Sequence, residues 1–155
     1  MALELQPPDS QKGIAGKHVV FLAGSIEQGN AEPWQSTVVD QLGAFDCVLL
    51  NPRRSDWNPD LPQHDANNIF REQVEWELDG LELADTIAVY FDPQTKSPVT
   101  LLEVGLFART GKLIVCCPEG FWRKGNVDIV CRRYSINTVD TLEDLILTLR
   151  SRVAG

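Results

Sequence analysis

The residue best suited to chemistry in this 155-residue chain is Glu103, which stands between apolar neighbours in the run Leu101-Leu102-Glu103-Val104. A carboxylate in such surroundings loses hydration and is useful only when it is paired or reactive. We predict that Glu103 attacks a sugar carbon, a reaction that protein carboxylates perform. The structural alternative is a capping box, because Thr100-Leu101-Leu102-Glu103 lets the carboxylate bond back to a helix start.

The start of the helix that carries Glu103 bears on this choice. Ser97-Pro98 is typical of an N-cap followed by proline at the first helical position. A helix that begins there places Glu103 in its second turn, which is beyond the reach of a capping interaction. The capping-box alternative is therefore weakened but stays open.

Two further acids are candidates for the same chemistry. Asp92 ends a strand-like run before Pro93, where an aspartate most often serves as a turn residue and less often contacts a ligand. A predicted helix carries an acidic face that is expected to be mostly solvated. Its members are Glu72, Glu75, Glu77, Asp79 and Glu82. Among them, Glu77 is the one that we expect can turn into a pocket.

The loop between Gly24 and Gly29 follows the first predicted strand. It lacks the Lys and Ser or Thr of a Walker loop, and it is not a dinucleotide-binding GxGxxG loop. We predict a turn whose backbone amides and Ser25 hydroxyl face a ligand, as the first strand-to-helix turn does in doubly wound proteins. An ordinary turn is the alternative.

The long connection from residue 53 to residue 65 is rich in proline and too long for a passive turn. Arg53, Arg54 and Trp57 within it supply the chemistry for holding a phosphate or stacking a base. Solvent-exposed charge is the alternative interpretation. Farther along the chain, Asn126 follows the fourth predicted strand and is suited to polar contacts with a sugar.

The elements that must position these residues alternate along the chain. Apolar runs predict strands over residues 17–23, 45–50, 84–91, 112–117 and 134–136. Helical patterns lie between and after them, over residues 32–42, 69–83, 97–111 and 141–152, with a short helix after residue 126. Such alternation predicts one α/β domain over residues 17–155, with a five-stranded parallel sheet covered on both faces. Residues 1–16 are predicted to be a flexible N-terminus.

Composition excludes several classes of partner. The net charge of -8 argues against nucleic acid and against an anionic membrane surface, because both require basic patches. The four cysteines lack metal-binding spacing and are predicted to be buried free thiols in a reducing compartment. No signal peptide or membrane span is recognisable, so we expect a cytoplasmic protein. We also expect that it uses no metal and no cofactor.

Three segments together resemble one known family. They are Phe21-Leu22-Ala23-Gly24-Ser25-Ile26, the run Ala84-Asp85-Thr86-Ile87-Ala88-Val89-Tyr90, and Leu102-Glu103-Val104-Gly105-Leu106 before Gly111-Lys112. Their order and spacing resemble the nucleoside 2-deoxyribosyltransferase family, including its deoxynucleoside monophosphate N-glycosidase branch. The likeness extends from about residue 17 to about residue 130.

The resemblance implies a single-domain, flavodoxin-like (Rossmann-like) three-layer sandwich that forms a homodimer or a larger homo-oligomer. It implies a small nucleoside or nucleotide as ligand and Glu103 as the group that attacks the anomeric carbon to form a glycosyl-enzyme ester. A second base then accepts the sugar in a transfer, or water accepts it in a hydrolysis.

The resemblance and the chemistry of the loops described above together give the remaining site residues. Glu77 and Asp92 would handle the leaving base, while Ser97 stands where the family often has another acid. The residues expected to bind substrate are Gly24, Ser25, Ile26, Arg53, Trp57, Ser97 and Asn126, the last from a neighbouring subunit. Two alternatives stay open: an N-glycosidase acting on a larger nucleotide such as NAD, and a non-catalytic nucleotide-binding or interaction protein.

Overall fold

The computed structural model describes residues 1–14, 16–26, 32–54 and 60–155. Within this part of the chain six strands and five helices follow one another. In chain order they are β1 (Leu3–Leu5), β2 (His18–Gly24), α1 (Trp34–Leu42), β3 (Cys47–Leu50), α2 (Asn68–Leu83), β4 (Thr86–Tyr90), α3 (Pro98–Phe107), β5 (Leu113–Cys116), α4 (Lys124–Arg133), β6 (Asn137–Val139) and α5 (Leu142–Ala154). The predicted α/β class is therefore confirmed.

The strands form one parallel sheet in the order β1-β3-β2-β4-β5-β6. Strands β2 to β6, taken alone, follow the order 2-1-3-4-5, which is that of flavodoxin-like sheets. The order reverses between β2 and β4, which pair from Val20 with Thr86 to Gly24 with Tyr90. In open α/β sheets, a ligand crevice lies at this reversal, beyond the carboxyl ends of the strands.

The prediction of five strands is wrong by one, because β1 adds a strand beside β3. Leu3 pairs with Val48 and Leu5 with Leu50. The strand has only three residues and lies at the edge of the sheet, where Leu3 is exposed. The sequence therefore contains no apolar run that would predict it. The sixth strand also begins at Asn137, just after the predicted residues 134–136. The limits predicted for the domain stay a prediction.

The segment that follows β1 is tied to the region after β3. The Asn51 amide donates to the Leu5 carbonyl at 2.9 Å, and the Asn51 side chain donates to Glu4 at 2.9 Å. The side chain of Gln6 donates to the Arg53 carbonyl, also at 2.9 Å. Strand β1 therefore holds the backbone that carries Arg53.

Helices cover the sheet on both faces. The core on one face joins α2, α3 and α4 to the sheet through residues such as Trp76, Phe107 and Val127. On the other face, Trp34 and Leu42 of α1 meet Leu145 of α5. The central strands are buried on both sides and therefore carry apolar residues without alternation.

The four cysteines lie within this core. Cys47, Cys116, Cys117 and Cys131 are all buried and free, as predicted. Burial raises the pKa of Cys131 to about 11, which leaves this thiol uncharged at neutral pH. Among the residues that the structure describes, no helix is long and apolar enough to cross a membrane.

Candidate functional site

The carboxyl end of β2 requires a glycine. A Cβ atom at Gly24 would lie 2.3 Å from the carbonyl oxygen of Tyr90 and 2.6 Å from the indole of Trp34. The missing side chain lets β2 and β4 end side by side, with the Ser25 amide donating to the Tyr90 carbonyl at 3.0 Å. Gly24 therefore acts by close packing, and Ile26, two residues on, is half-buried.

A cluster of buried hydroxyl groups lies beyond these strand ends. The Ser25 hydroxyl oxygen accepts hydrogen bonds from the Asp92 amide at 2.8 Å and from the Thr95 hydroxyl at 2.9 Å. The Ser97 hydroxyl oxygen lies 2.5 Å from that of Ser25 and 2.8 Å from that of Thr95. Three hydroxyl groups thus fasten the loop between β4 and α3 to the end of β2.

Ser97 adopts an unusual backbone conformation at the start of α3. It is the N-cap residue, as predicted, but it has φ 47° and ψ 53° and forms no side-chain capping bond. This left-handed conformation costs a non-glycine residue on the order of 1 kcal/mol. The hydroxyl cluster offsets that cost, because the Ser97 hydroxyl forms hydrogen bonds with Ser25 and Thr95 instead of capping the helix.

Glu103 occupies the second turn of α3, which begins at Pro98. The capping-box alternative for Glu103 is therefore wrong, since the N-cap is Ser97 and not Thr100. The side chain is only 8% exposed, and no hydrogen bond to its carboxyl group comes from the described part of the chain. Burial, assisted by the charge of Glu77, raises the pKa of Glu103 to about 8.

Glu77 lies on α2, and its charge acts on the Glu103 carboxyl group. The other four acids of its helix face are exposed, whereas Glu77 is half-buried. Burial raises the pKa of Glu77 to about 7, although a hydrogen bond from Gln73, 3.4 Å from a Glu77 carboxyl oxygen, acts in the opposite direction. The two glutamates form a pair of desolvated acids.

Such a pair has a specific chemical capacity. Two carboxyl groups that disfavour each other's ionisation lose their protons in separate steps, so one proton is retained over an intermediate pH range. The ionised member can act as a nucleophile while the protonated member acts as a general acid. The helices α2 and α3 thus carry two buried acids that could divide these two roles between them.

Asp92 is held by the backbone at the end of β4. One carboxyl oxygen accepts from the Glu32 amide at 2.9 Å, and the other accepts from the Gln94 amide at 2.9 Å. The second contact is the turn interaction that its position before Pro93 predicted. Asp92 is only 7% exposed, so it forms part of the wall beside the hydroxyl cluster.

Arg53 is anchored within the protein. Its guanidinium group donates to the Glu32 carbonyl at 2.7 Å and to the Gln35 side chain at 3.3 Å. Partial burial lowers the pKa of Arg53, and the charge of Asp92 acts against that shift. The alternative of freely exposed charge therefore does not describe Arg53, which is half-buried.

The remaining predicted residues are not all in one place. Trp57 lies outside the described residues. Asn126 is exposed on the first turn of α4. Within residues 1–14, 16–26, 32–54 and 60–155, no group of three or more His, Cys, Asp or Glu side chains is arranged to hold a metal ion.

Sequence reasoning missed two residues of the site. Thr95 joins the hydroxyl cluster, and Gln73 bonds to Glu77. Gln73 precedes Glu77 by four residues, so helical spacing could have identified it as a neighbour. No spacing rule identifies Thr95, because its position depends on the left-handed residue at 97.

Comparisons with known proteins agree with this architecture. The crystal structure of a conserved protein from Enterococcus faecalis V583 is similar, with a TM-score of 0.63 over 88% of this chain and 99% of that one. At 13% sequence identity, this likeness shows a shared fold alone. No curated protein sequence matches the chain.

A family model provides the sequence relationship. The model described as "Nucleoside 2-deoxyribosyltransferase like" matches residues 17–121. That range includes β2 to β5 and every member of the hydroxyl cluster and the glutamate pair. Because it is also more than half of the chain, the chain belongs to the nucleoside 2-deoxyribosyltransferase-like family.

Proposed function

We propose that this protein cleaves the bond between base and sugar in a nucleoside or deoxynucleoside, through a glycosyl ester on Glu103. The observation that carries the proposal is the burial of the Glu103 carboxyl group on α3, whose pKa is raised by that burial and by the charge of Glu77. Glu103 lies in the second turn of a helix that starts at the carboxyl edge of the sheet. Family membership supports a nucleoside as the substrate.

The proposed reaction has two displacements. A Glu103 oxygen forms a bond to the anomeric carbon while the bond from that carbon to the base nitrogen breaks. The base leaves with the electron pair of that bond and takes a proton from Glu77, or from Asp92 as the alternative acid. In the second step, another base or a water molecule attacks the anomeric carbon, and the bond from that carbon to the Glu103 oxygen breaks with its electron pair on the carboxylate. The proton that the acceptor loses returns to the acid that protonated the leaving base.

The reactive protonation state places the negative charge on Glu103 and the proton on Glu77. Burial disfavours the anion at both positions in the unliganded pocket, and more strongly at Glu103. The transition state, however, develops positive charge on the sugar next to Glu103. This charge stabilises the Glu103 carboxylate, so the reactive arrangement is favoured when it is needed.

The wall of the pocket has a second role in the proposal. In the proposal, Gly24, Ser25 and Ile26 form the sugar side, to which Gly24 contributes by letting the strand ends pack closely. The cluster of Ser25, Thr95 and Ser97 fixes the loop that leads into α3. Arg53 and Trp57 lie in the connection that we propose faces the base. Asn126 would contact the sugar of a neighbouring subunit.

We also propose that the chain forms a homodimer or a larger homo-oligomer through α3. This helix is apolar on its buried side and also on its outer side, where Val99, Leu102 and Leu106 are 58%, 63% and 57% exposed. A helix that is apolar all round is normally covered. A second copy of the chain would cover it and would bring another subunit close to Glu103.

The experiment that tests the function is base release from a panel of ribonucleosides, deoxynucleosides, their 5′-monophosphates and NAD, followed by chromatography. We expect Glu103→Gln to lower the rate at least about 1000-fold, since it removes the nucleophile. Glu75→Gln, at an exposed position of α2, is the matched control and should retain the rate.

A second measurement identifies the intermediate. A 2-fluoro nucleoside slows the release of the sugar, so the intact mass of the wild-type protein should increase by one sugar, while that of Glu103→Gln should not. Activity that persists in Glu103→Gln would overturn the proposal. Binding of a nucleotide without any release of base would favour the non-catalytic alternative.

A further inference from the structure

One buried acceptor in the candidate site has no donor. Gln73 on α2 is only 8% exposed, and its side-chain oxygen Oε1 is shielded from solvent. When the buried side-chain nitrogen and oxygen atoms of the described residues are compared, Gln73 Oε1 is the atom without a hydrogen-bond partner. A buried polar atom left in this state is unfavourable, because it has lost its water without gaining a partner. The proposed reaction does not use this atom.

The orientation of the Gln73 amide follows from its neighbours. Its nitrogen Nε2 lies 3.1 Å from the carbonyl oxygen of Pro52 and 3.4 Å from a carboxyl oxygen of Glu77. A backbone carbonyl can only accept a hydrogen bond, so the NH₂ group must face Pro52. Turning the amide over would place oxygen against oxygen. The unpaired atom is therefore the acceptor Oε1, and its missing partner must be a donor.

Gln73 and Glu77 are neighbours on one face of α2. Residues four apart in a helix lie one above the other, with their Cβ atoms about 5–6 Å apart. A flat ligand that contacts the carboxyl group of Glu77 is thus close to the amide of Gln73. Burial raises the pKa of Glu77 to about 7, so that a proton is available on Glu77 near neutral pH.

Together the two side chains offer one acceptor and one donor on the same face of α2. Oε1 of Gln73 accepts a hydrogen bond, and the protonated Glu77 donates one. The complementary ligand edge has an amino group beside an unprotonated ring nitrogen. Adenine and cytosine carry such an edge, whereas hypoxanthine, uracil and thymine carry a carbonyl oxygen in place of the amino group.

We propose that Gln73 selects nucleobases with an amino group next to an unprotonated ring nitrogen, accepting a hydrogen bond from that amino group while Glu77 protonates the ring nitrogen. The inference rests on the proposed function, because it names the base that the same site releases. The transferred proton ends on the departing base, and Gln73 itself undergoes no chemical change. Its role is to determine specificity.

The shielding of Oε1 has two effects on selection. Side chains around Gln73 must shift before a base can reach Oε1, so binding includes a local rearrangement. The contact that results is free of water. A base without the amino group would therefore leave Oε1 without a hydrogen-bond donor, which weakens its binding. Sites built to hydrogen-bond a substrate group can reject analogues without it by factors of about 10⁴. We expect a preference of at least about 100-fold here.

The test compares substrates that differ only in the amino group. Values of kcat/KM are measured for 2′-deoxyadenosine against purine 2′-deoxyriboside, and for 2′-deoxycytidine against its analogue without the amino group. We expect the wild type to prefer the amino-bearing member of at least one pair about 100-fold or more. A ratio near one in both pairs would overturn the inference.

Variants separate recognition from a purely structural role. Gln73→Met keeps the side-chain length but removes the acceptor, so the substrate ratio should fall to within about threefold of one. Gln94→Met changes an exposed glutamine and should keep the wild-type ratio. A ratio that survives in Gln73→Met contradicts the inference. If Gln73→Met does not fold, the wild-type ratios alone decide the matter.

A binding measurement distinguishes failure of this inference from failure of the proposed function. Calorimetry with Glu103→Gln compares free adenine with unsubstituted purine. Binding that depends on the amino group, and that is lost when Gln73→Met is added, supports the inference even where no nucleoside is cleaved. Equal binding of the two bases, or binding of neither, overturns it. Cleavage that ignores the amino group leaves the proposed function standing and removes this inference alone.

Discussion

The hydroxyl oxygens of Ser25 and Ser97 lie 2.5 Å apart, although 72 positions separate the two residues in the sequence. This contact joins the end of β2 to Ser97, the N-cap residue of α3. It also holds Ser97 in its left-handed conformation. The position of Glu103, six residues later on the same helix, therefore depends on a hydrogen bond formed by two small side chains.

Substitution at Ser97 should separate backbone strain from hydrogen bonding. Ser97→Ala loses the hydroxyl group but retains the strained conformation, so we expect it to lower the free energy of unfolding by about 1–3 kcal/mol. Ser97→Gly loses the same hydroxyl group but relieves a strain of about 1 kcal/mol. Urea unfolding should therefore rank wild type first, Ser97→Gly second and Ser97→Ala last. A less stable Ser97→Gly would contradict the role assigned to strain.

Stability should depend on pH through Glu103. Its pKa is raised from 4.5 in the unfolded chain to about 8 in the folded chain. The folded state therefore binds an extra proton between these values, and the associated stability is fully present below pH 4.5 and is lost as pH rises to 8. Glu77 contributes a similar dependence up to about pH 7.

Glu103→Gln removes the titrating group and retains its shape. We expect this variant to be more stable than wild type at pH 8 by an amount on the order of a few kcal/mol, and by much less at pH 5. Chemical unfolding at the two pH values measures the difference, with Glu75→Gln as the exposed control. An advantage that is the same at both pH values would show that Glu103 does not titrate in this range.

Glu77→Gln should distinguish the two acids of the proposed mechanism. Removal of the general acid is expected to slow base release about 100- to 10,000-fold for ordinary nucleosides. A 7-methylguanine nucleoside already carries positive charge on its base, so its departure needs no proton and should be nearly unaffected. Equal losses for both kinds of substrate would argue that Glu77 only supports the structure.

The same variant should move the pH profile of the reaction. The charge of Glu77 is one cause of the raised pKa of Glu103. Without it, the pKa of Glu103 falls, and the acidic limb of kcat/KM for the 7-methylguanine nucleoside should shift to lower pH. A shift to higher pH would contradict the coupling between the two carboxyl groups.

The outer side of α3 should control assembly. Leu102→Glu introduces a charge on the exposed apolar surface, and we expect it to convert an oligomer into monomers in sedimentation velocity experiments. Leu147→Glu places the same charge on α5, where Leu147 is 59% exposed, and should leave the assembly intact. If Leu102→Glu sediments as the wild type does, the interface lies elsewhere.

Gly24 provides a test of close packing at the strand ends. Gly24→Ala would push a methyl group against a backbone carbonyl oxygen, which cannot move independently, so we expect a loss of at least about 3 kcal/mol in unfolding free energy. Gly125 lies in α4, and a Cβ atom added there would meet no other atom within 4 Å. Gly125→Ala should therefore gain about 0.5–1 kcal/mol. Similar effects at the two positions would exclude the packing argument.

The sequence predicts the sheet well where strands are buried. The apolar runs at β2, β3, β4 and β5 stand out because both faces of these strands meet helices. The edge strands β1 and β6 have only three residues each and include exposed positions, so their pattern is too short to recognise. These two strands form because β1 pairs with β3 and β6 pairs with β5, which are tertiary contacts.

The site is predictable to the extent that local rules govern it. Ser97-Pro98 identified the helix start, and this start placed Glu103 beyond capping reach. The inward turn of Glu77 could only be suspected, because nothing in its own segment distinguishes it from Glu75. The contact of Thr95 with Ser25 and that of Gln73 with Pro52 arise only when distant segments meet. Chain folding, and not local pattern, supplies those contacts.

Strand β1 has a practical meaning for anyone who prepares this protein. Its last residue bonds to Asn51, and Gln6 just beyond it bonds to the backbone of Arg53, so these first residues brace the segment that carries Arg53. Deleting residues 1–6, or fusing a bulky purification tag immediately ahead of Leu3, would loosen that segment without changing any residue of the proposed mechanism. Preparations tagged at opposite ends of the chain should therefore be compared before weak activity is attributed to the chemistry.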